Sequence, residues 1–274
     1  MSTKQTIIQP GRTARGFLLE LVEYRDLFFF LAWRDILVRY KQTVIGIAWS
    51  VLRPVLTMVV FVIVFGKIAK LPSDGAPYAL LVFAAMLPWQ FFANTVTESS
   101  NSLIANAQMV SKVYFPRIII PTTAMVVSLV DFAIAFVLLL GLMLWYGVWP
   151  DVRFLILPLL LVLAMITSLG IGYLISALSV KYRDFRYVVP FMVQFGLYVS
   201  PVGFSSSVIP EQWRLVYSLN PMVGVIDGFR WAILGGDTLI YWPGFLLSIG
   251  IGIGLFLYGV RYFLRSERVF ADVI

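Results

Sequence analysis

The chain has 274 residues, of which 60% are hydrophobic and 13% are charged. Soluble domains carry about a quarter charged residues, so this composition favours a membrane protein. The net charge of +7 is scattered between apolar runs, which favours anionic lipid headgroups over nucleic acid as the partner. The chain has no cysteine and no histidine, which excludes disulfides and removes the commonest general base and transition-metal ligand.

The N-terminal region is expected to stay outside the bilayer. Residues 1–16 are polar and basic, do not resemble a cleaved signal peptide, and predict a cytoplasmic tail. In Phe17–Thr43 the apolar run Leu27–Trp33 has seven residues, too few to cross the bilayer, which needs about 20. This segment predicts an amphipathic helix at the membrane interface, with a soluble helix packed on the protein as the alternative.

Residues 1–44 thus form the predicted tail and interface helix, and residues 45–274 a single transmembrane domain. Six apolar stretches predict an all-α domain with six transmembrane helices. They are Ile45–Phe65, Tyr78–Ser100, Ile118–Tyr146, Leu155–Leu178, Tyr187–Phe204 and Tyr241–Phe263.

Three residues inside these spans need separate interpretation. Pro54 removes a backbone donor, so we expect it to bend or restart the first helix. Arg53 is expected to snorkel to the cytoplasmic surface, or alternatively to face a polar cavity. Asp131 is an isolated acid in the third span, and a carboxyl bonded within the helix bundle is the simpler interpretation than a proton carrier.

Two connections predict helices outside the spans. After the polar stretch Thr95–Asn106, residues Ala105–Lys112 precede a break at Pro116, which predicts a short helix along the cytoplasmic surface. Ser205–Asp237 is too polar to span the bilayer and is broken by prolines and glycines. It predicts two short helices that dip into the outward membrane edge, where protein must cover their backbone.

The distribution of basic residues predicts the orientation. Six spans leave both termini on one side, and 16 of the 21 lysines and arginines lie on that side. The other five are Lys67, Lys70, Arg153, Arg214 and Arg230. The positive-inside rule therefore predicts that both termini, the 2–3 loop and the 4–5 loop are cytoplasmic.

The sequence lacks the residues that catalysis would need. Gly66-Lys67 is followed by Ile68, without the spacing of a phosphate-binding loop. Asp184 is the only acid of its cytoplasmic loop, which argues against a membrane-bound glycosyltransferase. We therefore expect no catalytic residue, no metal site and no cofactor bound by this chain. An ion-driven carrier that acts alone stays open as an alternative.

Aromatic residues lie deep within two spans. Trp89 and Phe92 fall in the middle of the second span, and Tyr198 lies similarly deep in the fifth. They either pack within the bundle or line a transport path, where aromatic faces would stack on sugar rings.

Three segments carry a resemblance to a known family. Leu87–Pro121 contains a Pro-Trp pair, a polar stretch and a Lys-x-Tyr-Phe-Pro-Arg motif. Lys181–Phe204 and Leu219–Gly235 agree as well, the latter with Asn220-Pro221 and Arg230. Together they resemble the ABC-2 type permeases that export polysaccharides, over essentially the whole chain.

This resemblance implies an assembly in the inner (plasma) membrane. Two permease copies would form a homodimer, and two separate ABC ATPase subunits would supply ATP hydrolysis with Mg²⁺. The substrate would be a lipid-linked polysaccharide of the O-antigen kind; another cargo, such as teichoic acid, a drug or another lipid, is the alternative. The residues expected to couple to the ATPase are Ala105, Asn106, Gln108, Lys112, Tyr114, Phe115, Pro116, Arg117, Tyr182, Arg183 and Asp184.

Overall fold

The computed structural model describes residues 22–41, 44–235 and 240–270, without the side chains of residues 44–47. The predicted N-terminal tail and both termini lie outside the described residues. The described part of the chain consists of helices, turns and loops without a strand. The α-helices are α1 (Arg25–Tyr40), α2 (Val44–Phe61), α3 (Tyr78–Ala105), α4 (Ala107–Lys112), α5 (Ile119–Tyr146), α6 (Leu157–Lys181), α7 (Phe185–Val199), α8 (Glu211–Tyr217), α9 (Pro221–Leu234) and α10 (Trp242–Ser266).

Among the described residues, five helical stretches are long and apolar enough to cross a membrane. They are Ala48–Ile68, Tyr78–Ala105, Ile119–Tyr146, Val152–Lys181 and Trp242–Val269. They overlap the predicted first, second, third, fourth and sixth spans, so the prediction of a multi-pass all-α protein is confirmed.

The predicted fifth span is shorter than expected. Helix α7 has 15 residues, or about 22 Å at 1.5 Å per residue, whereas the hydrocarbon core is about 30 Å thick. The predicted end at Phe204 is wrong because the helix ends at Val199. Ser200 has an extended backbone, as expected for a residue that precedes a proline, here Pro201.

Of the two expectations for Pro54, a restart of the first helix is wrong, and a bend stays a prediction. Helix α2 continues through Pro54 to Phe61 and then widens into a π-helical stretch, Val62–Ile68. Pro54 is buried, and Arg53 is exposed on the surface of the helix.

Helix α3 is the centre of the fold. Of its most apolar 18-residue window, 83% is buried, against 11–33% for the other four candidate spans. Residues 80–87 are each at most 3% exposed. An apolar helix that is covered on every side lies in the core of a bundle, and α5, α6 and α9 pack around α3.

The bundle has two ends with different structures. We call residues 105–118, between α3 and α5, the corner segment, and the end of the bundle that carries it the corner end. The last turn of α10 lies there, because Glu267 bonds to Arg117. At the opposite end, the Tyr78 hydroxyl donates to the carbonyl oxygen of Gly203. Helices α8 and α9 lie at this opposite end.

Helices α6 and α10 approach each other backbone to backbone. A Cβ atom added at Gly170 would lie 2.5 Å from the Phe256 backbone, and one at Gly259 would overlap the carbonyl oxygen of Gly170. Small residues allow this closeness in membrane helix pairs. The position of α10 against the bundle therefore depends on these two glycines.

Gly259→Val is expected to separate α6 from α10 and to lower the free energy of unfolding by about 1–3 kcal/mol, the usual cost of overpacking. Thermal unfolding of the purified protein in detergent measures this effect. Gly254→Val is the matched control, because nothing lies within 4 Å of a Cβ at Gly254. Equal midpoints for the two variants would contradict the close packing.

Candidate functional site

The corner segment joins the central helix to α5 through a short helix. Asn106 ends α3 with its side-chain amide donating to the Ser102 carbonyl oxygen at 2.9 Å. Helix α4 then runs over six residues and ends where Val113 becomes extended. The predicted short helix between the second and third spans is therefore present, but it begins at Ala107, since Ala105 still belongs to α3.

One side of the corner segment is open to solvent. Helix α4 buries only Val110, while its other face and the two residues after it are exposed. We call the exposed side chains the corner face: Gln108, Ser111, Lys112, Val113 and Tyr114. This face carries a cation, hydrogen-bonding groups and an aromatic ring, as suits contact with a protein surface.

The rest of the Lys-x-Tyr-Phe-Pro-Arg motif points inward. Phe115 is 3% exposed and belongs to an apolar cluster with Val110, Phe263 and Phe270. Pro116 is buried beside it. The backbone N–H of Arg117 donates to Oε1 of Glu267 at 2.8 Å. The motif thus splits into an exposed part and a part that holds the corner together.

The loop between α6 and α7 lies at the same end. Val180, just before this loop, belongs to the apolar cluster of Val110 and Phe115. Tyr182, Arg183 and Asp184 are exposed. The structure therefore brings the two predicted coupling loops to one end of the bundle, although their coupling role stays a prediction.

Helix α1 is joined to the corner segment by polar bonds. The Arg34 guanidinium donates to Oδ1 of Asn106 at 3.0 Å and to Asp35 at 2.8 Å. Asp35 in turn accepts a bond from the Thr123 hydroxyl of α5. The charges of Arg34 and Asp35 neutralise each other at the junction of α1, α3 and α5.

A second polar group anchors α1 one turn further on. Arg39 forms ion pairs with Asp131 at 2.8 Å and with Glu98 at 3.4 Å. The Tyr40 hydroxyl also donates to Asp131. Burial, and next this bond to the carboxylate, raises the pKa of Tyr40 to about 12. Asp131 is therefore bonded within the protein, as its simpler interpretation expected.

A cavity of about 570 Å³ lies between α1, the end of α3 and the start of α5. Its lining combines both signs of charge with amide and hydroxyl groups, and includes Arg34, Asp35, Arg39, Glu98, Asn101 and Thr123. Helix α1 buries only two apolar side chains, Leu31 and Ala32. Polar bonds at the rim of this cavity therefore contribute much of the attachment of α1 to the bundle.

At the opposite end, a buried arginine joins three segments. Arg230 of α9 donates to the carbonyl oxygens of Leu81, Val202 and Phe204 at 2.7–3.1 Å. The bonds to Val202 and Phe204 satisfy carbonyl groups of the turn after α7, and the bond to Leu81 joins this turn to α3. From the sequence, Arg230 was predicted as part of a motif and as a basic residue on the outward side, but not in this role.

Two carboxylates hold the serine turn that precedes α8. Asp74, from the loop between α2 and α3, accepts bonds from Ser205 and Ser207. Asp227 of α9 accepts a bond from Ser206 at 2.8 Å. The sequence analysis also missed this cluster, because Asp74 is about 130 residues from the serines.

The predicted path aromatics lie in different surroundings. Trp89 and Phe92 are 5% and 9% exposed, and Trp89 packs over Gly196 of α7. Tyr198 is 58% exposed and stacks on Phe61. In this conformation the protomer covers the first two rings and leaves Tyr198 on its surface.

Helix α7 exposes a row of four rings, of which only Tyr198 was predicted from the sequence. We call Tyr187, Phe191, Phe195 and Tyr198 the aromatic stripe; all four are exposed. Their spacings of four, four and three residues place them on one helical face. This spacing was the signal in the sequence that could have identified them.

Several membrane-length helices, a polar-bonded helix α1 and a short exposed helix at one end define a multi-pass helical membrane protein. Residues 26–234 match the ABC-2 type transporter family, and the chain belongs to this family.

Named relatives match over most of their length. An O-antigen export system permease protein RfbA of Klebsiella pneumoniae is 28% identical over 84% of this chain and 91% of that protein. RfbA of Myxococcus xanthus is 28% identical over 77% of this chain and 81% of that protein. The polysialic acid transport protein KpsM of Escherichia coli is 24% identical over 90% of this chain and 96% of that protein.

Phe115→Ala is expected to lower the free energy of unfolding by about 3–5 kcal/mol, because it empties a buried position. Val113→Ala, at a site 54% exposed two residues away, should change it by about 0.5 kcal/mol or less. Thermal unfolding of both purified variants is the measurement. If Phe115→Ala unfolds at the same temperature as Val113→Ala, the apolar cluster does not support the corner segment.

Proposed function

We propose that this chain is the membrane-spanning permease half of an ATP-driven exporter, which moves a lipid-linked polysaccharide from the cytoplasmic to the outer face of the membrane. The match to the ABC-2 type transporter family is the observation that carries this proposal. Relatives named for O-antigen export and polysialic acid transport support the polysaccharide cargo.

The proposed topology has six spans, with α7 as the short fifth one and both termini in the cytoplasm. Basic residues support this orientation. In the described chain the corner end carries Arg25, Arg34, Arg39, Lys41, Arg53, Lys112, Arg117, Lys181, Arg183, Arg186, Arg261, Arg265 and Arg268, and the opposite end carries Lys67, Lys70, Arg153, Arg214 and Arg230. By the positive-inside rule, the end with more lysines and arginines lies in the cytoplasm. The membrane is then the inner (plasma) membrane. Helices α8 and α9 are then the outward re-entrant pair.

Force enters at the corner face in this proposal. Two ABC ATPase subunits bind ATP and Mg²⁺ and contact Lys112, Tyr114 and the neighbouring loop at Tyr182. Their nucleotide cycle supplies the differential contacts that any ligand-driven change of state requires. Helix α3, buried along most of its length, transmits the displacement towards the opposite end, and Pro116-Arg117 passes it to α5.

Two copies of the chain enclose the transport path in this proposal. The aromatic stripes of the two α7 helices face each other, and their rings stack on the sugar units of the polymer. Exposure of the whole stripe in the single protomer supports this arrangement. Trp89, packed behind α7 at Gly196, would support the wall of the path, and Phe92 would lie beside Trp89.

An ABC-2 exporter of another cargo is the second candidate, because the family match by itself does not name a polysaccharide. The ion-driven carrier is disfavoured by the surroundings of Asp131. This carboxylate is engaged by Arg39 and Tyr40, whereas a proton carrier needs a group that can exchange its proton along a relay.

Lys112→Glu should weaken binding of the ATPase subunit at least about tenfold, because reversing a charge within an interface removes its electrostatic complementarity. Lys67→Glu is the control, since Lys67 is also exposed but lies at the opposite end. Binding of the purified ATPase to the reconstituted permease gives the affinity, and polymer export is followed in the same vesicles. Unchanged affinity and export for Lys112→Glu would overturn the assignment of the corner face.

The absence of cysteine from the sequence allows a direct test of orientation. Ser111→Cys and Val152→Cys place single thiols at exposed positions on the two ends of the bundle. A membrane-impermeant maleimide should label only Val152→Cys in intact spheroplasts, and both variants after permeabilisation. Labelling of Ser111→Cys in intact spheroplasts would show that the proposed orientation is reversed.

A further inference from the structure

The last described turn of the chain is folded back onto the corner segment. After α10 the chain forms a 3₁₀ turn, Glu267–Val269, followed by Phe270. Val269 is exposed, whereas Phe270 is 2% exposed. Glu267 and Phe270, on either side of the exposed pair Arg268 and Val269, face the protein, and each makes a different kind of contact.

Glu267 supplies the acidic group that the start of α5 lacks. Helix α5 has no acidic residue in its first turn and no side-chain cap of its own. The Glu267 carboxylate accepts the N–H of Arg117 at 2.8 Å, just before the helix. A negative charge here interacts favourably with the positive end of the helix dipole. The Arg117 guanidinium in turn donates to the carbonyl oxygen of Glu267, so the two residues are bonded in both directions.

Phe270 joins the last described turn to the corner segment through apolar packing. Its ring lies 5.3 Å from that of Phe263 at 77°, an edge-to-face arrangement. Both rings belong to the apolar cluster that contains Phe115 and Val110. Val110 is the one buried residue of α4. The end of α10 and the short helix that carries the corner face therefore share one apolar cluster.

Helix α4 cannot hold this position by its own stability. Isolated helices shorter than about 12–15 residues are marginal in water, and α4 has six residues. Its placement must come from its junctions and from the cluster under Val110. If the corner face moved freely, a displacement applied to it would not be transmitted to the membrane helices.

We propose that residues 267–270 are a positioning element for ATPase coupling. They lock the corner segment to the ends of α5 and α10, so that a displacement of α4 moves both membrane helices together. This inference rests on the proposed function, in which the force enters through the corner face. Glu267 and Phe270 act through Arg117 and Val110, without contact with the ATPase or the polymer.

The first experiment measures coupling in the reconstituted permease–ATPase complex. Glu267→Ala and Phe270→Ala should leave assembly and ATP hydrolysis intact and lower the polymer exported per ATP about fivefold or more. Glu267→Gln should restore most of this ratio, because its amide oxygen still accepts from the Arg117 N–H. Arg268→Gln and Val269→Ala, at exposed positions of the same turn, are the controls and should keep the wild-type ratio.

The outcomes separate the two proposals. A wild-type complex that does not export polymer with ATP would overturn the proposed function. Export by the wild type together with an unchanged ratio in Glu267→Ala would overturn the positioning role alone. A loss of folded protein at a constant ratio would also overturn it, since that is the result expected of a merely structural contact.

The second experiment needs neither the ATPase nor the polymer. A spin label at Ser111→Cys, introduced into the otherwise cysteine-free chain, reports the mobility of α4. We expect greater mobility when Glu267→Ala is added, and wild-type mobility with Glu267→Gln or Arg268→Gln. Equal mobility in all four backgrounds would show that the C-terminal turn does not hold the corner segment.

Discussion

The burial of α3 along most of its length is the constraint on which the rest of the structure depends. Apolar packing surrounds residues 80–87, and such packing has low compressibility and transmits strain. One end of this helix carries the corner segment, and the other provides the Leu81 carbonyl oxygen that Arg230 holds. A displacement applied at either end is therefore carried through a rigid element.

At the two ends of the bundle polar bonds between distant segments add to the apolar packing, whereas the centre is held by apolar contact. Arg39 with Asp131 and Arg117 with Glu267 each join segments far apart in the chain. Such directional bonds allow only a few arrangements of the segments that they join. One arrangement can replace another with little change in the apolar core. Arg230 does the same at the opposite end with three carbonyl oxygens. An exporter that alternates between states would change these ends while its centre moves as a unit.

The corner motif shows how far the sequence could lead. The break at Pro116 and the polar stretch before it predicted a short helix between two spans, and α4 is that helix. The same residues were predicted to couple as one group. The structure instead buries Phe115 and exposes Lys112, because the partners of Phe115 include Phe263 and Phe270, about 150 residues away. No local pattern indicates that contact.

The sequence by itself determined the five membrane-length helices of the described chain, but it misplaced the end of the fifth predicted span. An apolar run must be about 20 residues long to cross the bilayer, and all backbone groups within it must be bonded internally, so composition and length suffice. Only the tertiary structure decided what each polar or aromatic residue does inside that framework. Asp131 is bonded because α1 brings Arg39 and Tyr40 to it, and Trp89 is covered because Gly196 of α7 leaves room for its ring. Both depend on distances between segments that are far apart in the chain, which hydrophobic periodicity does not encode.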